Sequence, residues 1–154
     1  NRKQAINFCT KVKKIRNDVV FGADLIAGFP TESDEMFSDS LALIKECKLT
    51  HLHVFPYSIR EHTPAAKMPQ ISKNIIKGRA KLLREEGKKQ MLKYLNQQIG
   101  NYTKILVEQT KDNMSIGKSQ HFTKVKINES IAEGKIVKCI ITDLKEDILQ
   151  AKTI

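Results

Sequence analysis

Around Gly100 the spacing of the apolar residues changes, and that change limits what this chain can fold into. Between residues 72 and 98, Ile76, Ala80, Leu83, Met91, Tyr94 and Leu95 recur at helical steps. They predict one long helix of roughly 40 Å at 1.5 Å per residue. Gly78 and Gly87 weaken it, and Gly87 is a candidate bend. Beyond Gly100 the apolar runs are short and rich in β-branched residues: Lys104–Glu108, Phe122–Ile127 and Lys135–Thr142, separated by Gly, Asn and Asp. That is the pattern of a small antiparallel barrel. One fold cannot serve both periods, so a boundary falls near residue 100.

Upstream, the elements alternate. Arg2 to Arg16 reads as a helix with Ala5, Phe8, Cys9, Val12 and Ile15 on its apolar side. Val19 to Ala27 is nearly continuously apolar, which predicts a strand buried on both faces. Ser33 to Cys47 reads as a second helix, capped by Thr31 or Ser33 and opened by Glu32, Asp34 and Glu35 at its positive end. His51 to Phe55 is a second strand, and Pro56 ends it. Ile59 to Ile71 is a loop. Helix, strand, helix, strand predicts a parallel α/β arrangement with a right-handed crossover. Two parallel strands are too few for a sheet covered on both faces, and the chain begins with Asn. The expectation is the last part of a larger α/β domain.

The net charge is +10 and is unevenly placed: +5 over residues 1–18, −3 over 19–71, +6 over 72–99 and +2 over 100–154. Such a balance favours polyanionic partners. No apolar run approaches the roughly 18 residues that a membrane helix needs, and nothing reads as a secretory signal. Cys9, Cys47 and Cys139 are too widely spaced for a local metal or cluster site. They read as three reduced thiols of a cytoplasmic protein.

In parallel sheets, ligands bind at the carboxyl ends of the strands. Gly28 stands at one such end and Phe55-Pro56-Tyr57-Ser58 at the next. Together they offer an aromatic wall for a flat ring such as adenine. The stretches "GADLIAGFPTESDEMF" and "LTHLHVFPYSIREHTPAAKMPQ" resemble the end of the radical S-adenosylmethionine domain of the methylthiotransferases. The threonylcarbamoyladenosine tRNA methylthiotransferase branch matches best, through "HVFPYS" followed by "TPAA". The residues after Gly100 are similar to the TRAM domain, an RNA-binding β-barrel.

The resemblance implies a fold class: an α/β remnant (the last two β/α units of a partial radical-SAM barrel) over residues 1–71, a connecting basic helix over 72–99, and a small all-β TRAM barrel, OB-like, over 100–154. It implies a parent enzyme that adds a methylthio group to threonylcarbamoyladenosine beside the anticodon of tRNA. That parent would use S-adenosylmethionine and 4Fe-4S clusters. Gly28, Phe29, Pro30, Glu32, Phe55, Pro56 and Tyr57 would line the S-adenosylmethionine pocket. The family's three-cysteine cluster motif is not in this chain. No cluster ligands or other metal ligands are therefore expected here, and the chain alone is expected to be inactive. Its partners would be tRNA and the N-terminal part of the same enzyme. Two departures stand out: Thr31 replaces the second glycine of Gly-Phe-Pro-Gly-Glu, and Glu61-His62 replaces the usual Pro-Gly.

Lys104, Lys118, Lys124 and Lys126 around Phe122 form a candidate RNA face, with phosphate contacts and a stacking ring; an ordinary barrel surface is the other reading. Asp24 is a ligand contact or a structural carboxylate. His51 and His53 are a metal pair or packing, and Tyr57 is a stacking ring or core. A binding module without catalysis, from a split or decayed gene, is the alternative to the enzyme-derived reading.

Overall fold

Asn1 begins the first helix, its side chain accepting from the Gln4 amide while the Gln4 side chain reaches back. In this computed structural model, which describes residues 1–154, that helix (α1) spans Arg2–Ile15. Ile6 and Cys9 of α1 pack on the core, whereas Phe8 and Ile15, expected on its apolar side, are 63% and 88% exposed. Strand β1 (Phe21–Ala27), helix α2 (Asp34–Glu46) and strand β2 (Leu49–Pro56) follow. Ser33 caps α2 by accepting from the Met36 amide at 3.1 Å. Pro64–Lys67 form a short 3-10 turn, capped by Thr63. Helix α3 runs unbroken over Lys73–Gln97. The chain divides into two units within α3: Asn1–Met91 and Leu92–Ile154.

In the first unit β1 and β2 pair in parallel, with Ala27 opposite Pro56. One face packs a core of Ala27, Ile44, Cys47, Leu49, Val54, Ala80 and Leu83. The other face is open. Burial along β1 alternates, leaving Gly22, Asp24 and Ile26 exposed, so the expectation of a strand buried on both faces is corrected. The reason is that α2 and α3 supply residues to one side only, and no further layer covers the second. His53 and Phe55 of β2 are exposed opposite Asp24 and Ile26. Gly87 is not a hinge. A Cβ there would stand 2.9 Å from Leu52, so the residue lets α3 lie close on the sheet. Arg84 of α3 donates to the Val54 carbonyl at 2.9 Å.

The second unit is a closed five-stranded barrel. Its strands are β3 (Tyr102–Lys111), β4 (Met114–Ser119), β5 (Lys124–Ile127), β6 (Ile136–Lys145) and β7 (Ile148–Thr153). The order around it is β3-β4-β5-β7-β6, with β5 and β7 parallel and the other pairs antiparallel. Ile105, Val107, Val125, Ile127, Cys139, Ile141 and Leu149 fill the interior. Two strands, β4 and β7, escape the sequence pattern because each is short and mixes polar residues into its run. Their turns explain their pairing. Asp112-Asn113 and Glu146-Asp147 all have positive φ, the tight-hairpin geometry that matches strand twist.

Candidate functional site

Each unit carries one candidate site. In the first, the two strand ends lie side by side: the Tyr57 amide donates to the Ala27 carbonyl at 2.9 Å, extending the ladder by one rung. Gly28 follows with φ +75° and is buried. A side chain there would put a Cβ 2.5 Å from Ile76 Cγ1. The neighbour this glycine admits is thus helix α3, where the sequence suggested a ligand. Its amide donates to Glu32 Oε2 at 3.0 Å. Glu32 in turn accepts from Arg79 Nη1 at 2.7 Å, while Arg79 Nη2 reaches Asp34 at 2.6 Å. Burial opposes the Arg79 charge. The hydrogen bonds to Asp34 and Glu32 outweigh it and hold the guanidinium above its usual range.

The seven residues assigned to this strand end therefore divide. Gly28, Pro30 and Glu32 each make structural contacts: Gly28 packs under Ile76, Pro30 is fully buried and Glu32 anchors Arg79. Phe29, Phe55 and Pro56 are exposed, and Tyr57 is half-buried. The Phe29 and Tyr57 rings meet edge to face, with centroids 5.6 Å apart. The Tyr57 hydroxyl is buried without a hydrogen-bond partner, so the ring wall ends in a polar atom that a ligand could satisfy. Beside it runs an apolar groove of about 640 Å³, lined by Pro56, Tyr57, Ile59, Ile71, Ile76 and Lys77. Sequence reasoning finds neither Arg79 nor this groove. An arginine on a basic helix reads as solvated; the one signal against that is its place on the same helical face as Ile76, Ala80 and Leu83.

In the second unit, Phe122 is 76% exposed and adopts φ +60°. It stands in the turn between β4 and β5, closed by the Phe122 amide to the Ser119 carbonyl and by the Ser119–Thr123 hydroxyl pair at 2.7 Å. The strand expected to begin at Phe122 begins at Lys124. Lys118 and Lys124 are direct partners across β4 and β5, and Lys126 follows on the same outward face. Lys118 is paired with Glu108 at 3.3 Å. Lys104 stands exposed on β3, opposite Lys138 of β6.

The three cysteines do not form one group: Cys9 and Cys47 are neighbours and Cys139 lies elsewhere. Cys9 and Cys47 flank one hollow between α1 and α2, and Cys139 is inside the barrel. No group of three or more His, Cys, Asp or Glu side chains stands close enough to share a metal ion. His51 and His53 sit on the open sheet face in register with Gly22 and Asp24.

No family model matches the chain. Curated relatives do. It is 45% identical over 150 residues to a threonylcarbamoyladenosine tRNA methylthiotransferase of Rickettsia prowazekii (strain Madrid E), covering 97% of this chain and 35% of that protein. It is 34% identical over 159 residues to a tRNA-2-methylthio-N(6)-dimethylallyladenosine synthase of Ehrlichia ruminantium (strain Gardel), covering 97% and 36%. A protein of the latter name from Rickettsia canadensis (strain McKiel) is 32% identical over 148 residues, covering 94% and 32%. This chain is a relative of the tRNA methylthiotransferases. It spans about a third of their length.

Both departures from the methylthiotransferase pattern now have a conformation. Thr31 has φ +69° and His62 has φ +64°. These are left-handed positions where the family's glycine carries no steric penalty, and a β-branched residue such as Thr31 is strained.

Proposed function

We propose that this chain is the C-terminal part of a tRNA methylthiotransferase of the threonylcarbamoyladenosine branch, working in the cytoplasm on the adenosine beside the anticodon. Its first unit is the end of a radical-SAM barrel. Its second is a TRAM-like, OB-like barrel that holds tRNA. The 45% identity along nearly the whole chain supports the branch. The observation that carries the RNA reading is Phe122: a large apolar ring, 76% exposed, on a turn flanked by Lys118 and Lys124. An exposed ring among cations is a platform for a stacked base, with Lys126 adding a phosphate contact on the same face and Lys104 meeting the RNA further along the barrel.

S-adenosylmethionine fits the first unit through Phe29 and Tyr57, whose rings meet beside the orphan Tyr57 hydroxyl, and through Phe55 and Pro56 at the end of β2; when bound with a cluster it supplies the radical chemistry of the family. A cluster does not fit this chain's own thiols: only Cys9 and Cys47 meet, Cys47 is buried, and Cys139 is inside the barrel, so no three thiolates converge. The chain alone is therefore inactive, and the cluster ligands come from the rest of the parent.

Fluorescence anisotropy of the whole chain with an unmodified tRNA transcript tests the RNA reading. With about three lysines on phosphates, log affinity falls against log salt with a slope near −2. Phe122→Ala costs a further ~1–3 kcal/mol while leaving the circular dichroism unchanged. Salt-insensitive binding defeats the phosphate contacts, and an unchanged affinity for the folded variant defeats the stacking. Anaerobic reconstitution with iron and sulfide tests the cluster statement, which a stoichiometric cluster on this chain would sink.

A further inference from the structure

We infer that the barrel carries a second nucleotide-binding position, separate from Phe122, in a groove of about 290 Å³ lined by Tyr102, Thr103, Lys104, Gln120, Lys138 and Ile154. This rests on the RNA reading above and extends it.

Three observations carry it. Lys104 and Lys138 are direct partners across β3 and β6, both exposed, and neither has a carboxylate partner. Like charges placed opposite each other on a sheet destabilise it, and an anion seated between them removes that cost. Lys118, by contrast, has Glu108 to offset it. Second, Tyr102 lines the same groove and is 71% exposed with no hydrogen bond to its hydroxyl, so its ring face is available for a base. Third, Gln120 lines the groove and belongs to the same turn as Phe122, so the two candidate positions lie close along the chain. Cations in a cleft beside a bare ring match the chemistry of single-stranded RNA: phosphate between Lys104 and Lys138, base on Tyr102.

The experiment uses the whole chain and a fluorescein-labelled 12-nucleotide oligo(A) in an anisotropy titration over a salt series. Tyr102→Ala is expected to weaken binding by about 5- to 150-fold, and Tyr102→Phe to restore it, because the ring and not the hydroxyl is used. The double variant Lys104→Ala, Lys138→Ala is expected to make the salt slope shallower by about 1.4, at roughly 0.7 per phosphate contact. With RNA absent, Lys138→Ala is expected to raise the melting temperature at low salt, since it relieves the facing charges. If the wild type binds and these variants bind with the same affinity and slope, the second position is overturned while Phe122 stands. If the wild type does not bind RNA at all, the RNA reading fails and takes this position with it.

Discussion

Ile26 and Ile105 are the same residue in the same kind of element, with opposite surroundings. Ile26 lies on β1 and is 55% exposed; Ile105 lies on β3 and is 0% exposed. The difference is closure. The barrel joins its first strand to its fourth and brings its interior side chains together from five strands. The parallel pair has one covered face and two outer edges, and relies on α3 to hold its strand ends. Arg79 and Arg84 do this from the helix, one through Glu32 and Asp34 and the other through the Val54 carbonyl. Burial in the barrel comes from topology, whereas in the sheet it has to be supplied by neighbours. The open face with Ile26 and Phe55 stays bare because nothing in this chain covers it.

The largest expected effect tests this contrast directly. Ile105→Ala should destabilise the barrel by about 2–5 kcal/mol in urea unfolding, because it leaves a cavity in a closed core. Ile26→Ala should change stability by less than about 0.5 kcal/mol. Equal losses at the two sites would break the comparison.

Removing the helix brace comes next. Arg79→Ala leaves Glu32 buried without its cation and should cost the first unit about 3 kcal/mol. Hydrogen exchange would register this as faster opening of β1 and β2, with the barrel amides unaffected. Loss of protection in both units would show that the brace does not act locally.

A smaller effect should appear in alkaline solution. Burial, then the hydrogen bond and charge of Cys9, push the Cys47 thiol up to about 11 from an ordinary 9.0. The neutral thiol is the form the fold prefers. Its contribution is whole below about pH 9 and is lost as pH rises through about 11. Burial also raises Cys139 in the barrel, in the same direction. A buried thiol should thus weaken both units at high pH, whatever their closure. Alkaline melts of Cys47→Ala should show a shallower decline for the first unit alone; an unchanged decline would remove Cys47 as its cause.

The smallest effect concerns strain. Thr31→Gly should stabilise the first unit by up to about 1 kcal/mol, since glycine adopts φ +69° freely. A loss of stability on this change would mean that the threonine side chain makes up for its backbone.

Much of this is readable along the chain. Local period and punctuation are properties of neighbouring residues, so they place α1, α2 and α3 and separate the helical part from the β part near Gly100. Pro56 and Gly28 mark the strand ends for the same reason. The motif at those ends, compared with known proteins, points to the methylthiotransferases. What sits against Gly28 is not readable, because Ile76 is 48 positions away along the chain and meets it only when α3 docks. The state of Arg79 is hidden likewise: an arginine on a basic helix looks solvated until a partner such as Glu32 arrives from another element. Strands β4 and β7 stay hidden because their pairing depends on turns with positive φ at Asp112-Asn113 and Glu146-Asp147, where no glycine marks that geometry. The facing of Lys104 and Lys138 is a matter of register across two strands more than thirty residues apart. Sequence determines what each segment can form; only the folded chain decides which surfaces stay bare, because burial is a relation between segments.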